Sequence, residues 1–167
     1  YISFDTAKIL KSRLDNRVKA VGVFVNEDIE KIAYLVKNKI VDIVQLHGNE
    51  DDSYINTLKK KIIVPMIYAY QIKSKADIKS INKNTDFILL DAGAGCGETF
   101  DEALLDGFDR EYFLAGGLSL DNVKEKIIKL NPFGVDVSSG IETEGKKDAA
   151  KIRKFVNLVR EVDNDRY

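Results

Sequence analysis

In 167 residues the sequence holds one cysteine, one histidine, one methionine, two prolines and no tryptophan. The lone thiol, Cys96, cannot close an intrachain disulfide, which excludes a disulfide-stapled secreted scaffold. A single histidine, His47, with no Cys-x-x-Cys pair excludes the usual structural zinc sites, and no metal is expected. No apolar run approaches the roughly 20 residues a membrane helix needs, and no signal-like segment opens the chain. The expectation is a cytoplasmic protein with no membrane partner. A surplus of one charge is also missing. The 26 basic residues stand against 27 acidic ones, for a net charge of -1, so there is no nucleic-acid footprint. The short lysine runs Lys59-Lys60-Lys61 and Lys146-Lys147 read as solvated helix ends. The chain is 44% hydrophobic and 32% charged, the balance of one globular domain spanning residues 1–167.

What is present is a repeat of architecture. Short apolar runs occur at Lys19–Val25, Ile40–Leu46, Ile62–Tyr68, Phe87–Leu90, Tyr112–Ala115 and Phe133–Val137, with starts 21, 22, 25, 25 and 21 residues apart. Runs so rich in β-branched and aromatic residues suit strands buried on both faces of a parallel sheet. Helical stripes lie between them. Ile29, Ile32, Ala33 and Val36 follow Asn26, a candidate cap. Tyr54, Ile55 and Leu58 mark a short charged helix. Leu120, Val123, Ile127 and Leu130 follow Ser119, another candidate cap. Ile152, Phe155, Val156 and Val159 mark a final helix. Ser3 to Leu14 reads as an opening helix with Ala7, Leu10 and Leu14 inward, and a weak helix is expected near Phe100 to Leu105. Alternating strands and helices mean repeated βα units. By periodicity alone a doubly wound open sheet and a (βα)8 barrel both fit, the strand count being short for a barrel.

In parallel α/β folds the chemistry sits at the carboxyl ends of the strands. Here those ends read Val44-Gln45-Leu46-His47-Gly48, Leu89-Leu90-Asp91-Ala92, Leu114-Ala115-Gly116-Gly117-Leu118 and Val135-Asp136-Val137-Ser138-Ser139-Gly140. The last two are small-residue ends in series. Glycine lets backbone N–H groups approach an anion, and following helix N-termini add partial positive charge. A phosphate site is the expectation there. Asp91, after a wholly apolar run, suits a partly desolvated general acid. His47 sits at a strand end with Gln45 two residues before it, on the same face. The glycine-rich stretch Gly93 to Thr99 matches neither a P-loop nor a dinucleotide fingerprint and reads as a loop near the site.

In this order, these residues resemble the phosphoribosylanthranilate isomerase family. The matching stretches also include Val21 to Asn26, Gly97 to Asp101, Asn122-Val123, Gly134 to Glu142, Lys147-Asp148 and Ile152 to Val156. The resemblance implies a TIM (βα)8 barrel in which the six runs are the third to eighth strands. The first strand, first helix and second strand would be lacking. It implies an Amadori rearrangement in tryptophan biosynthesis, by general acid/base catalysis with no cofactor. Asp91 matches the family's general acid. Asp136 matches a carboxylate near the anthranilate amine. Gly116, Gly117, Ser138, Ser139 and Gly140 match the phosphate cradle, and Gln45 and His47 match substrate-lining positions. The sequence departs from the family at Cys96, where Thr or Ser is usual, in a shorter glycine-rich loop, and at Tyr68 and Gln71, where basic residues are common.

The family's general base is the cysteine of a Lys-x-Cys-Gly motif, which is not in this sequence. The expectation is that these 167 residues alone are inactive, and that they self-associate through exposed barrel edges or are completed by an N-terminal segment. The rival readings are another phosphosugar-binding barrel enzyme, a non-catalytic phosphate-binding fragment, and an open-sheet binding protein.

Overall fold

The structure, a computed structural model, describes residues 1–91 and 102–165. It forms two compact units, Tyr1–Ala69 with Asn82–Ile88, and Tyr70–Ile81 with Leu89–Tyr167.

The first unit contains α1 (Phe4–Arg13), β1 (Val21–Phe24), α2 (Ile29–Lys37), β2 (Ile43–Leu46), α3 (Asp52–Lys59) and most of β3 (Met66–Gln71). Its strands are parallel and lie in chain order, with Val21 opposite Ile43 and Val44 opposite Met66. Ile32 of the α2 stripe and Ile55 and Leu58 of the α3 stripe are buried with Val44, Leu46 and Met66, as is Leu35, which the stripe did not include, while Ile29, Ala33 and Val36 are half-buried. The third strand starts later than its apolar run because Pro65, which has no N–H to donate, precedes it. Asp42 accepts the N–H of Ala20 at 2.7 Å and pairs with Lys11, tying α1 to this sheet. Burial pushes the Asp42 carboxyl up, but these bonds outweigh it and hold the group below its ordinary value.

Three expectations fail in this unit. The cap of α2 is Asp28, which accepts from Glu30 N and Lys31 N, whereas Asn26 takes a left-handed φ of 50° and turns its side chain to Asn49. Leu10 and Leu14 of the α1 region are exposed rather than inward. The first strand is not buried on both faces, and Val23 is 58% exposed. The last two failures share a cause. Leu10, Leu14, Val21, Val23 and Val25 line an apolar groove of about 530 Å³, and among the described residues nothing packs over it.

The second unit contains α4 (Lys75–Lys79), β4 (Phe87–Asp91, from Leu89 on), a 3-10 turn (Glu102–Leu105), β5 (Phe113–Ala115), α5 (Val123–Leu130), β6 (Gly134–Val135), the hairpin β7 (Glu142–Thr143) and β8 (Lys146–Lys147), and α6 (Ala149–Asn164). The strands β4, β5 and β6 are again parallel and in chain order. Leu89, Leu90, Leu114, Val123, Ile127, Phe155 and Val162 are buried. The cap position of α5 is Asn122 rather than Ser119, so Leu120 lies before the helix, which ends at Asn131 with φ 46°. Ile152 and Val156 of the α6 stripe are exposed.

Two elements were not expected. The short α4 has a complete capping box between Ser74 and Asp77, a Ser-x-x-Asp signal the strand pattern hid. Lys146-Lys147 forms a strand instead of a helix end, because Glu144 and Gly145 both take positive φ (52° and 73°) and close a tight hairpin. The expected loop from Gly93 to Thr99, Cys96 within it, and the start of the expected helix at Phe100-Asp101 lie outside the described residues. Among the described residues no helix is long and apolar enough to cross a membrane.

Candidate active site

In the first unit the end of β2 carries Gln45 and His47. Buried Gln45 lies 3.2 Å from the His47 ring through Nε2 and Nδ1. An amide nitrogen can only donate, so in this geometry Nδ1 is the acceptor. The His47 backbone donates to Phe24 O at 2.8 Å, which fixes the turn beside the end of β1.

Sequence reasoning missed the residues that hold this turn. Glu50 is only 3% exposed, and its carboxylate accepts the N–H of Asn26 at 2.7 Å and the N–H of Gly48 at 3.0 Å. One side chain thus ties together the ends of two adjacent strands. A Cβ on Gly48 would stand 2.7 Å from Asn26 Oδ1 and 2.8 Å from Glu50 Oε1, so a larger residue there would displace the clamp. Tyr68 shares its one hydroxyl hydrogen between the carbonyls of Glu50 (3.2 Å) and Gly48 (3.3 Å). The only sequence signal was an acid two residues beyond a strand-end glycine.

In the second unit Asp91 closes β4 after Ile88, Leu89 and Leu90, all fully buried, and is itself half-buried. Its carbonyl accepts from Ile72 N at 2.9 Å, and it stands opposite Ala115 in the register with β5. Gly116 begins one residue further on. Asp136 follows the end of β6 and donates its N–H to Leu114 O at 2.8 Å. Asp91, Gly116 and Asp136 therefore share one end of three neighbouring strands, as the sequence predicts.

The two small-residue ends also meet. Gly116 and Gly117 take φ of 91° and 63°, in the left-handed region where glycine costs least. Asn122 holds this turn from both sides, accepting from Ser119 N at 2.9 Å and donating to Gly117 O at 3.0 Å. Ser119 and Gly140 form a parallel bridge, and a Cβ on Gly140 would stand 1.9 Å from the Leu118 carbonyl. Only glycine allows this approach. The Gly-Gly turn and the Ser138-Ser139-Gly140 turn thus form one continuous surface of backbone and small side chains, of the kind that accommodates an anion.

A family model described as N-(5'-phosphoribosyl)anthranilate (PRA) isomerase matches residues 3–158. The N-(5'-phosphoribosyl)anthranilate isomerase of Endomicrobium trichonymphae is 46% identical over 164 residues, covering 95% of this chain and 81% of that protein. The crystal structure of phosphoribosyl anthranilate isomerase from Thermotoga maritima superposes with a TM-score of 0.84 at 34% identity, covering 96% of this chain and 82% of that one. A second crystal structure of this isomerase, in complex with reduced 1-(o-carboxyphenylamino)-1-deoxyribulose 5-phosphate, superposes at 0.81 with 34% identity, covering 96% and 81%. These likenesses give the chain an α/β barrel-like fold and set the open-sheet reading aside.

Proposed function

Because this chain belongs to the N-(5'-phosphoribosyl)anthranilate isomerase family, we propose that its strand ends divide between them the work of one proton-transfer isomerisation. The activity is the rearrangement of N-(5'-phosphoribosyl)anthranilate to the 1-deoxyribulose 5-phosphate in tryptophan biosynthesis. Residues 1–167 are taken as one domain of that family, working in the cytoplasm.

The observation that carries the site reading is the pairing of Asp91 with a glycine-and-serine surface at the same strand ends. The phosphate rests on Gly116, Gly117, Ser138, Ser139 and Gly140. Their backbone donors spread the anionic charge with no need for a neutralising pair. With the phosphate fixed, the ribose ring is held toward Asp91. The carboxylic acid gives its proton to the ring oxygen as the C1–oxygen bond breaks, and the amine lone pair closes to a protonated Schiff base. A base then removes the C2 proton, and its electrons neutralise the iminium to give the enolamine. Proton return to C1, as the C2 hydroxyl gives up its proton, yields the ketose. Asp136 orients the anthranilate amine, and Gln45 and His47 line the substrate.

The base is assigned to the family's Lys-x-Cys-Gly segment, which is not among these residues. About a fifth of each relative's length lies outside the span it shares with this chain. The apolar groove along β1 and α1 offers that segment a hydrophobic seat beside an open strand edge. Self-association through the same edge is the alternative when the segment is not supplied.

Calorimetric titration with the reduced deoxyribulose phosphate compound tests this reading. The expected result is one binding site per chain, with no turnover of phosphoribosylanthranilate by these residues alone. Failure to bind in a folded sample would overturn the site assignment, and turnover without the segment would overturn the assignment of the base.

A further inference from the structure

The Lys147 ammonium lies 2.9 Å from Ser138 Oγ, 3.0 Å from the Ser138 carbonyl and 2.7 Å from Glu142 Oε1. Its three hydrogens thus have three acceptors, two of them on a single residue. The hairpin holds it there. Lys147 on β8 stands opposite Glu142 on β7, and Glu142 N donates to Ser139 O at 3.0 Å. The hairpin is in turn fastened to the start of α6. Lys151 donates from Nζ to Glu142 O at 2.5 Å, and Thr143 donates to the Asp148 carboxylate at 2.8 Å. Asp148 also accepts from Ala150 N and Lys151 N. Its bond from the Thr143 hydroxyl and those from the two backbone amides keep it below the ordinary carboxylate range.

We propose that Lys147 is a positioning residue for phosphate recognition, acting through the Ser138 hydroxyl. The inference rests on the phosphate reading of the preceding section. A hydroxyl has one hydrogen and two lone pairs. Lys147 donates into a lone pair of Ser138, so the hydroxyl hydrogen is turned away from the ammonium. The adjacent positive charge also draws electrons from that oxygen and strengthens the hydroxyl as a donor. Glu142 offsets the charge of Lys147 and keeps the ammonium on the serine. The cation therefore sets the polarity of the cradle from behind, while Ser138 makes the contact.

The test is titration of the chain with inorganic phosphate for wild type, Lys147→Met, Lys147→Arg, Ser138→Ala and the double variant Lys147→Met/Ser138→Ala. Thermal melts confirm that each is folded. Lys147→Met should weaken phosphate binding roughly tenfold, the scale of one charge-assisted hydrogen bond. Lys147→Arg should stay within roughly threefold of wild type. In the Ser138→Ala background the Lys147→Met change should add less than about twofold, because its route is already gone. Full additivity in that background would mean that Lys147 acts on phosphate independently and would overturn the inference. Unchanged binding in Lys147→Met would overturn it as well. A folded wild type that binds no phosphate would overturn the phosphate site itself, and the inference with it.

Discussion

Asp91→Asn is expected to lower isomerase turnover by roughly a thousandfold, within the range general acid catalysis supplies. The amide is nearly isosteric but has no acidic proton to deliver to the ribose ring oxygen. Asp91 follows three buried residues at the end of β4, and its backbone is held by Ile72 N and by the pairing with Ala115. The substitution leaves that backbone untouched. Affinity for the reduced deoxyribulose phosphate compound should stay within about threefold, because the proposed phosphate site lies on other strand ends. Steady-state rates are to be measured with the base-bearing segment supplied and compared with binding by calorimetry. A loss of only a few fold would remove Asp91 from the role of acid. An equal loss of binding would make it a substrate anchor instead.

Glu50→Ala should destabilise the chain by about 3 kcal/mol, since two backbone donors lose a charged acceptor and each orphaned group costs roughly 1–3 kcal/mol. Those donors are Asn26 N and Gly48 N, and the carboxylate between them is buried. For a domain of this size the melting temperature should fall by roughly 10 °C. Glu50→Gln should fall between the two, because its carbonyl oxygen still accepts but its amide nitrogen does not. Urea or thermal denaturation measures this directly. A shift within about 0.5 kcal/mol of wild type would show that the clamp between the two strand ends is not rigid.

The contrast between these two residues shows what was legible in the sequence. Asp91 could be found because a carboxylate directly after an apolar strand stands out against its surroundings. The glycine and serine turns could be placed because they come in series at the ends of β5 and β6. Glu50 could not, since it bonds to backbone atoms of a residue 24 positions away, and backbone atoms leave no letter in the sequence. The same holds for Asn122, which was noted as part of a motif but not as the staple of the Gly-Gly turn. The alternation of strands and helices followed from period and spacing, but strand order did not, since periodicity alone fits both an open sheet and a barrel, and Leu10, Leu14, Ile152 and Val156 of the expected stripes are exposed. The exposed face of β1 did not follow either, because Val21 and Val23 read as core residues whatever covers them. Lys147 is exposed as expected but lies on a strand rather than at a helix end, and its contact with Ser138 was hidden for a related reason. Two lysines in a row look like a solvated end, and only the left-handed turn at Glu144-Gly145 shows that one of them is folded back onto Ser138.

The most direct test is to follow the fluorescence of freshly prepared N-(5'-phosphoribosyl)anthranilate in the presence of this chain and a family N-terminal segment carrying the Lys-x-Cys-Gly motif. The predicted result is enzymatic decay of the signal that requires both components and is abolished by Asp91→Asn. Decay no faster than spontaneous breakdown, from a mixture in which the segment is bound and the phosphosugar compound is held, would contradict the account.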